Sequence, residues 1–328
     1  MTMLQPLTKE ILEHHFTEVK QLGKGSYGKT SLYTDECNRC IVKKRIDVSL
    51  LSEREITLCM NEIKIIANVN HPFIVKYLGS YLDESELCIL TNYCKGGDLH
   101  HYIAQKRKRQ ETIREERILI WLAQLLSALK YLHKRHTLHR DLKSLNVLID
   151  SDKTLKLCDF GVSKALNSTS DKAKTIIGTP YYFSPELITG NEYNWPSDIW
   201  ALGCLTYELT ALKTPFDGSK GMMELVRNIK SNPVPDLPGN YSAELNSLYK
   251  SMMFHDIRLR LSASELLATD IMQKMLRLML YNSHLKSFTA TTKMLAVTGG
   301  NESLESTMAG NLDKNMKEYE EKSQGINT

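Results

Sequence analysis

The stretch from Gly23 to Thr30, "GKGSYGKT", fits two phosphate-binding patterns at once. Read as GxGxxG, it is a glycine turn whose missing side chains let backbone amides approach phosphate oxygens. Read as GxxxxGKT, it is a P-loop, and Lys29 becomes the phosphate ligand. The elements that follow separate the two. A P-loop needs a helix directly after its GKT, because the phosphates sit on that helix's N-terminal amides, and a dinucleotide fingerprint also opens a helix. Here "SLYTDECNRCIVKKRI" reads as strand, turn and strand. A glycine hairpin folded over phosphates is what remains, with Lys29 facing solvent.

Two other lysines, Lys43 and Lys44, then compete for the phosphate. On a strand, positions 42, 44 and 46 share one face and carry Val, Lys and Ile, whereas 41, 43 and 45 carry Ile, Lys and Arg. The first face is expected to look inward, making Lys44 the buried cation and sending Lys43 and Arg45 to water. On the helix expected between Ser52 and Val69, Glu62 shares a stripe with Leu58, Cys59, Ile65 and Ile66. An ionised carboxylate on a core-facing stripe needs a partner, and Lys44 is the natural one.

From Phe16 to about Tyr93 short β-like runs dominate, among them "FIVKYLGSYL" and "ELCILTNYC". Beyond them Leu122, Leu125, Leu129 and Leu132 recur at helical spacing, and "DIWALGCLTYELT" is apolar nearly all round, as in a buried helix. The basic run "KRKRQ" at 106–110 reads as a solvated loop, and the tail past about Leu280, rich in Ser, Thr, Asn and Gly, as flexible or locally helical. An apolar fraction of 42% is ample for a core, and a net charge of +4 is too small to argue for nucleic acid or membrane. The seven cysteines are odd in number and scattered, as expected of reduced thiols; the Cys37–Cys40 CxxC has no second ligand pair at zinc-finger distance. We expect a soluble, cytoplasmic chain without nucleic-acid or membrane partners.

Three further segments occur in order: "LHRDLKSLNVLID" at 138–150, "LKLCDFGVSK" at 155–164 and "GTPYYFSPEL" at 178–187. With them the sequence resembles the eukaryotic protein kinases over roughly residues 16–276. "YCKGGDL", "TIIGTPYYFSPEL" and "PSDIWALGCLTYEL" are most similar to the NIMA-related (NEK) Ser/Thr kinases, in which Ser stands before the Pro-Glu of the activation segment. The resemblance implies an α+β, bilobal fold. Residues 1–15 form an extension, 16–93 a small β-rich lobe with one main helix, 94–276 a larger helical lobe, and 277–328 a tail.

It also implies roles, which follow from what phosphoryl transfer needs: positioning and charge compensation rather than covalent catalysis. Asp141 would orient and deprotonate the substrate hydroxyl, and Lys143 would stabilise the transferring γ-phosphoryl group. Asn146 and Asp159 offer oxygen ligands suited to Mg²⁺. Lys44, held by Glu62, would hold the α- and β-phosphates of ATP beneath the hairpin residues Gly23, Lys24, Gly25, Ser26, Gly28 and Thr30. Adenine would lie between Leu22 and Val42 above and Leu148 below, against the backbone from Asn92 to Cys94, with Thr91 as gatekeeper. His139 and Phe160 are read as packing residues that align the loops. Glu186 and Arg260 match a buried ion pair of the family, although Ile257 and Leu261 replace its usual prolines. Thr30 and Val42 also depart from the commonest residues, Val and Ala, and both keep a methyl surface.

The segment "NSTSDKAKTIIGT" lacks an apolar pattern able to order it. Thr175 matches the activating phosphorylation position of the NIMA-related family, and Arg140 is the cation that would receive its phosphate. The reading is a Ser/Thr protein kinase that uses MgATP on protein hydroxyls, self-associates for trans-autophosphorylation and, by family resemblance, associates with the cytoskeleton. The competing reading, a nucleotide-binding scaffold, usually goes with loss of the metal Asp, the catalytic Asp or the strand lysine, and all three are present here.

Overall fold

The computed structural model describes residues 7–25, 28–49, 51–159, 180–216 and 221–280. Met1–Gln273 form one compact unit and Lys274–Thr328 a second, of which the described residues 274–280 are helical. Among the described residues no helix is long and apolar enough to cross a membrane.

Five antiparallel strands build the small lobe: β1 (Phe16–Gly25), β2 (Gly28–Asp35), β3 (Cys40–Asp47), β4 (Tyr77–Asp83) and β5 (Glu86–Asn92), in the order β1-β2-β3-β5-β4. The β2–β3 turn closes on Asp35, whose Oδ1 accepts from the backbone N–H of Cys37 at 3.0 Å and of Arg39 at 2.7 Å. The expected strand "FIVKYLGSYL" begins only at Tyr77; Ile74 instead forms an isolated bridge to Leu157. Strand β3 lies inside the sheet, pairing Lys44 with Thr30 on one side and Ile89 on the other.

Both faces of that sheet are covered. Helix α2 (Glu53–Ala67) starts at a capping box of Ser52 and Glu55 and packs Cys59 and Ile63 against Ile46, Leu87 and Ile89. Ile65, expected on the core stripe, is 46% exposed, because the buried stripe runs through Cys59 and Ile63 with Ile56, Met60 and Ile66 at its edges. On the opposite face lies helix α1 (Lys9–His15), whose Leu12 is buried against Ile41 and Leu90. Leu7 N–H donates to the Leu78 carbonyl at 2.8 Å, and Lys9 Nζ reaches Asp83 Oδ1 at 2.7 Å. A Cβ at Gly79 would lie 2.2 Å from the Leu7 carbonyl oxygen, so glycine is what admits this segment.

That cover overturns the expected fate of Lys43. Rather than facing water, it is buried at 8% exposure, its Nζ 5.3 Å from the Tyr81 ring centroid and 5.9 Å from that of Tyr33. Arg45 is half-buried on the same face. Strand alternation separates two faces but does not say that one of them is wet.

In the larger lobe the main elements are α3 (Leu99–Lys108), α4 (Glu115–His133) and α5 (Trp195–Ala211), followed by α6 (Met222–Ser231), α7 (Ala243–Met252) and α8 (Ala263–Ala268). The basic run expected as a loop is the last turn of α3, where Lys106, Arg107 and Lys108 complement the carbonyl end of the helix dipole. Helix α5 is buried from Pro196 to Thr210. Its Thr206 and Thr210 donate their hydroxyls back to the Leu202 and Thr206 carbonyls, which leaves Asp198 and Glu208 as acids that need partners from elsewhere. A two-stranded ribbon, β6 (Val147–Ile149) with β7 (Leu155–Leu157), carries the catalytic-loop motif into the segment before Asp159.

Candidate active site

A cleft of about 410 Å³ opens beside β3 and is lined by Leu22, Gly23, Thr30, Val42, Lys44, Thr91, Asn92, Cys94, Leu148 and Asp159, all singled out from the sequence. Val75, Tyr77, Ile89, Leu145 and Cys158 line it too, and none of these had been assigned to it. Its apolar walls with a cation and a carboxylate at one end suit a flat ring attached to a charged group.

At that end Lys44 Nζ donates to Asp159 Oδ1 at 2.7 Å. Burial pulls the ammonium's pKa down, and the Asp159 charge and hydrogen bond more than restore it, leaving Lys44 above its ordinary value. The side chain of Glu62, the partner expected for Lys44, lies outside the described residues, as do Ser26, Phe160, Thr175 and the side chain of Lys24. Gly28 sits in the hairpin at φ +151, where a Cβ would fall 1.6 Å from the Arg45 carbonyl oxygen; the neighbouring strand alone requires glycine there. Lys29 is exposed on the same strand.

The catalytic-loop motif closes on itself. Lys143 Nζ contacts both carboxylate oxygens of Asp141, at 2.9 and 2.8 Å. Asn146 Nδ2 donates to the Asp141 carbonyl at 2.7 Å and to its Oδ2 at 2.8 Å, which leaves the amide oxygen as its acceptor for anything in the cleft. His139 joins this loop to the Asp159 segment: Asp141 N–H donates to Nδ1 at 3.3 Å, so Nε2 carries the proton donated to the Cys158 carbonyl at 3.0 Å. Burial holds the ring's pKa below its ordinary value, which keeps it in this neutral tautomer.

Asp198, in the segment "PSDIWALGCLTYEL", supports the loop from below. Its Oδ2 accepts from His133 Nε2 at 2.7 Å and from His139 N–H at 3.0 Å. Its Oδ1 accepts from Arg140 N–H at 3.0 Å and Tyr193 OH at 2.5 Å. Arg140 is thereby held at φ 70, a left-handed conformation unusual outside glycine. Burial alone would raise the Asp198 pKa, but these donors, His133 foremost, bring it below the usual carboxylate value. An acid in an otherwise apolar helix was the sequence signal that could have found it.

The expected pair of Glu186 and Arg260 forms in the core, with Nη1 2.8 Å from Oε1 and Nη2 3.2 Å from Oε2. Ser197 Oγ adds a donor to Oε1 at 2.8 Å, and Arg260 also donates to the carbonyls of Pro196 and Phe254. Two thiols at the cleft are poor nucleophiles, since burial pushes Cys94 up to about 12 and Cys158 well above its ordinary value.

The protein kinase domain model matches residues 16–272. The chain belongs to the protein kinase family. Similar relatives are NIMA-related kinases. The chain is 39% identical over 260 residues to serine/threonine-protein kinase Nek1 of Mus musculus, covering 79% of this chain and 21% of that protein. It is 37% identical over 265 residues to Nek9 of Mus musculus, covering 80% and 26%. With Nek11 of Homo sapiens it shares 35% identity over 280 residues, covering 84% and 43%. The chain thus spans less than half the length of these relatives, and α1 precedes the matched region.

Proposed function

We propose that this kinase domain transfers the γ-phosphoryl group of MgATP to Ser and Thr hydroxyls of protein substrates. The observation that carries the reading is the meeting of Lys44 with Asp159 at the polar end of an apolar cleft, beside a loop in which Lys143 and Asn146 both hold Asp141. The adenine ring fits between Leu22 and Val42 on one side and Leu148 on the other, with Thr91 at the back. Lys44 takes the α- and β-phosphates. Asp141 accepts a hydrogen bond from the substrate hydroxyl, orients its oxygen toward the γ-phosphorus in line with the β–γ bridging oxygen, and takes the proton as that P–O bond breaks. Lys143 offsets the charge of the transferring group.

The donor set fits Mg²⁺: the Asn146 amide oxygen and the Asp159 carboxylate are hard oxygen ligands, and the amide nitrogen is already committed to Asp141. Held by Asn146 and Asp159, the ion would supply positive charge to offset that of the phosphates. Transfer of labelled phosphate from MgATP to a generic basic protein tests the reading, with Asp141→Asn and Lys44→Met as controls. Label that disappears in both variants supports it; nucleotide-dependent thermal stabilisation without transfer would replace it with a scaffold.

Autophosphorylation at Thr175 activates the enzyme in this reading, through self-association in trans. The added phosphate brings about −2 charge to the Arg140 guanidinium. Phosphatase-treated wild type should be slower than untreated enzyme and as slow as Thr175→Ala; equal activity of treated and untreated enzyme would remove this part. The kinase domain extends over about 16–276, between an N-terminal extension and a C-terminal tail. We place the protein in the cytoplasm with cytoskeletal association, which the relatives' family suggests, and without nucleic-acid or membrane partners.

A further inference from the structure

Glu208 is the second acid of the buried helix α5, and its carboxylate is 5% exposed. Two hydroxyls satisfy it: Ser144 Oγ donates to Oε1 at 3.1 Å, and Tyr182 OH donates to Oε2 in a very short hydrogen bond. With both protons so used, the Tyr182 oxygen accepts from the Ser144 backbone N–H at 3.3 Å, and the two hydroxyl oxygens stand 3.0 Å apart. His100 Nδ1, on α3, lies 3.3 Å from Ser144 Oγ and 4.0 Å from Glu208 Oε1, where it can donate to the serine oxygen.

Ser144 is thus gripped by three elements remote from it in sequence: α3, α5 and the stretch that carries Tyr182. It is 2% exposed, follows Lys143 directly, and opens the one-turn 3-10 helix Ser144–Asn146. A shift of Ser144 therefore displaces the lysine on Asp141 and the amide on Asp141 together. Asp198 holds the loop through backbone N–H groups at residues 139 and 140, ahead of Asp141; the Glu208 cluster holds it from the far side.

We infer that Ser144, Glu208, Tyr182 and His100 are positioning residues for phosphoryl transfer, with Glu208 fixing the Ser144 hydroxyl and through it the placement of Lys143 and Asn146 around Asp141. Among the described residues the cluster's hydrogen bonds reach none of Leu22, Val42, Thr91 and Leu148, the residues assigned to the nucleotide's ring, so its effect falls on the chemical step. The inference rests on the proposed roles of Asp141 and Lys143.

The test is steady-state kinetics of the full chain with MgATP and a protein substrate, on Ser144→Ala, Tyr182→Phe, Glu208→Gln, His100→Gln and the double variant Ser144→Ala/Tyr182→Phe, with melting temperatures measured alongside. Tyr182→Phe removes a single oxygen and guards against variants that fail to fold. We expect kcat to fall about tenfold in Tyr182→Phe and Ser144→Ala while KM for ATP stays within about twofold, the pattern of a misplaced catalytic group rather than a lost binding contact. The double variant should fall no further than the worse single one, since each removes the same constraint. Unchanged kcat in both single variants would overturn the inference, as would multiplicative losses in the double or losses that track the unfolded fraction. Asp141→Asn is run in parallel: if it retains full transfer, the assignment of Asp141 fails, whereas its inactivation together with unchanged Tyr182→Phe and Ser144→Ala sinks the positioning role alone.

Discussion

Lys44 Nζ and Asp159 Oδ1 lie 2.7 Å apart although 115 residues separate them, one on β3 and the other just past β7. The pair places the cleft's cation on a strand held on both sides by the sheet. Lys44→Met should lower phosphate transfer by at least about a hundredfold, the size typical of removing one preorganised charge from a transition state. Lys29→Ala, at the exposed P-loop-like position, should leave transfer within about twofold of wild type. Parallel initial-rate assays decide between them; an inactive Lys29→Ala would return the phosphate role to the glycine hairpin's own lysine.

Asp198 receives four donors while fully buried. Replacing it by Ala leaves four donors stranded, and the expected loss is about 3–5 kcal/mol by urea unfolding. Activity should drop further than the folded fraction does, because Arg140 is no longer held in its left-handed conformation. A variant with normal stability and normal kcat would show that the backbone of the loop holds itself.

The Glu186–Arg260 pair gives stability a pH dependence. Burial would raise the Glu186 pKa, but the guanidinium's hydrogen bonds and charge bring it below the ordinary value of 4.5. A lowered folded pKa means that the contribution is present in full above pH 4.5, declines below it, and is gone once pH has fallen through the folded value. Glu186→Gln should cost about 3 kcal/mol at neutral pH, and its deficit relative to wild type should shrink on acidification. Denaturant melts at several pH values measure this; a deficit that grew toward low pH would reverse the sign.

Lys43 has a structural role. Its stem is buried and its ammonium lies between two tyrosine rings, so Lys43→Ala should destabilise by about 1–2 kcal/mol through lost packing and cation–π contact. Leu12→Ala, which opens the α1 side of the same face, should cost about 2–4 kcal/mol. Neither should change kcat once corrected for folded protein; thermal melts with matched kinetics are the check.

The catalytic-loop trio was legible because Asp141, Lys143 and Asn146 lie within one short stretch, so chain connectivity brings their side chains together. The separation of Lys44, on the cleft's side of β3, from Lys43 was legible as well, since period-two alternation marks which residues share a face. The burial of Lys43 was not: alternation cannot report that a helix from residues 9–15 comes to lie on the second face. Nor was the exposure of Ile65, because a stripe read at three- and four-residue steps has an edge that only the facing sheet defines. The helical end at 106–108 was hidden by a run of charge that looks like a loop until its position at the end of α3 is known.

By itself the amino-acid sequence determined the lobes, part of the cleft's lining, Leu22, Val42 and Leu148 included, and the acids and bases grouped in the catalytic loop, because these depend on local periodicity and on motifs a few residues long. Only the tertiary structure decided that Lys44 meets Asp159, that Asp198 gathers four donors under Arg140, and that Glu208 closes on Ser144, Tyr182 and His100. A buried carboxylate must find hydrogen-bond donors, but which ones it finds is settled by packing between elements far apart in the chain.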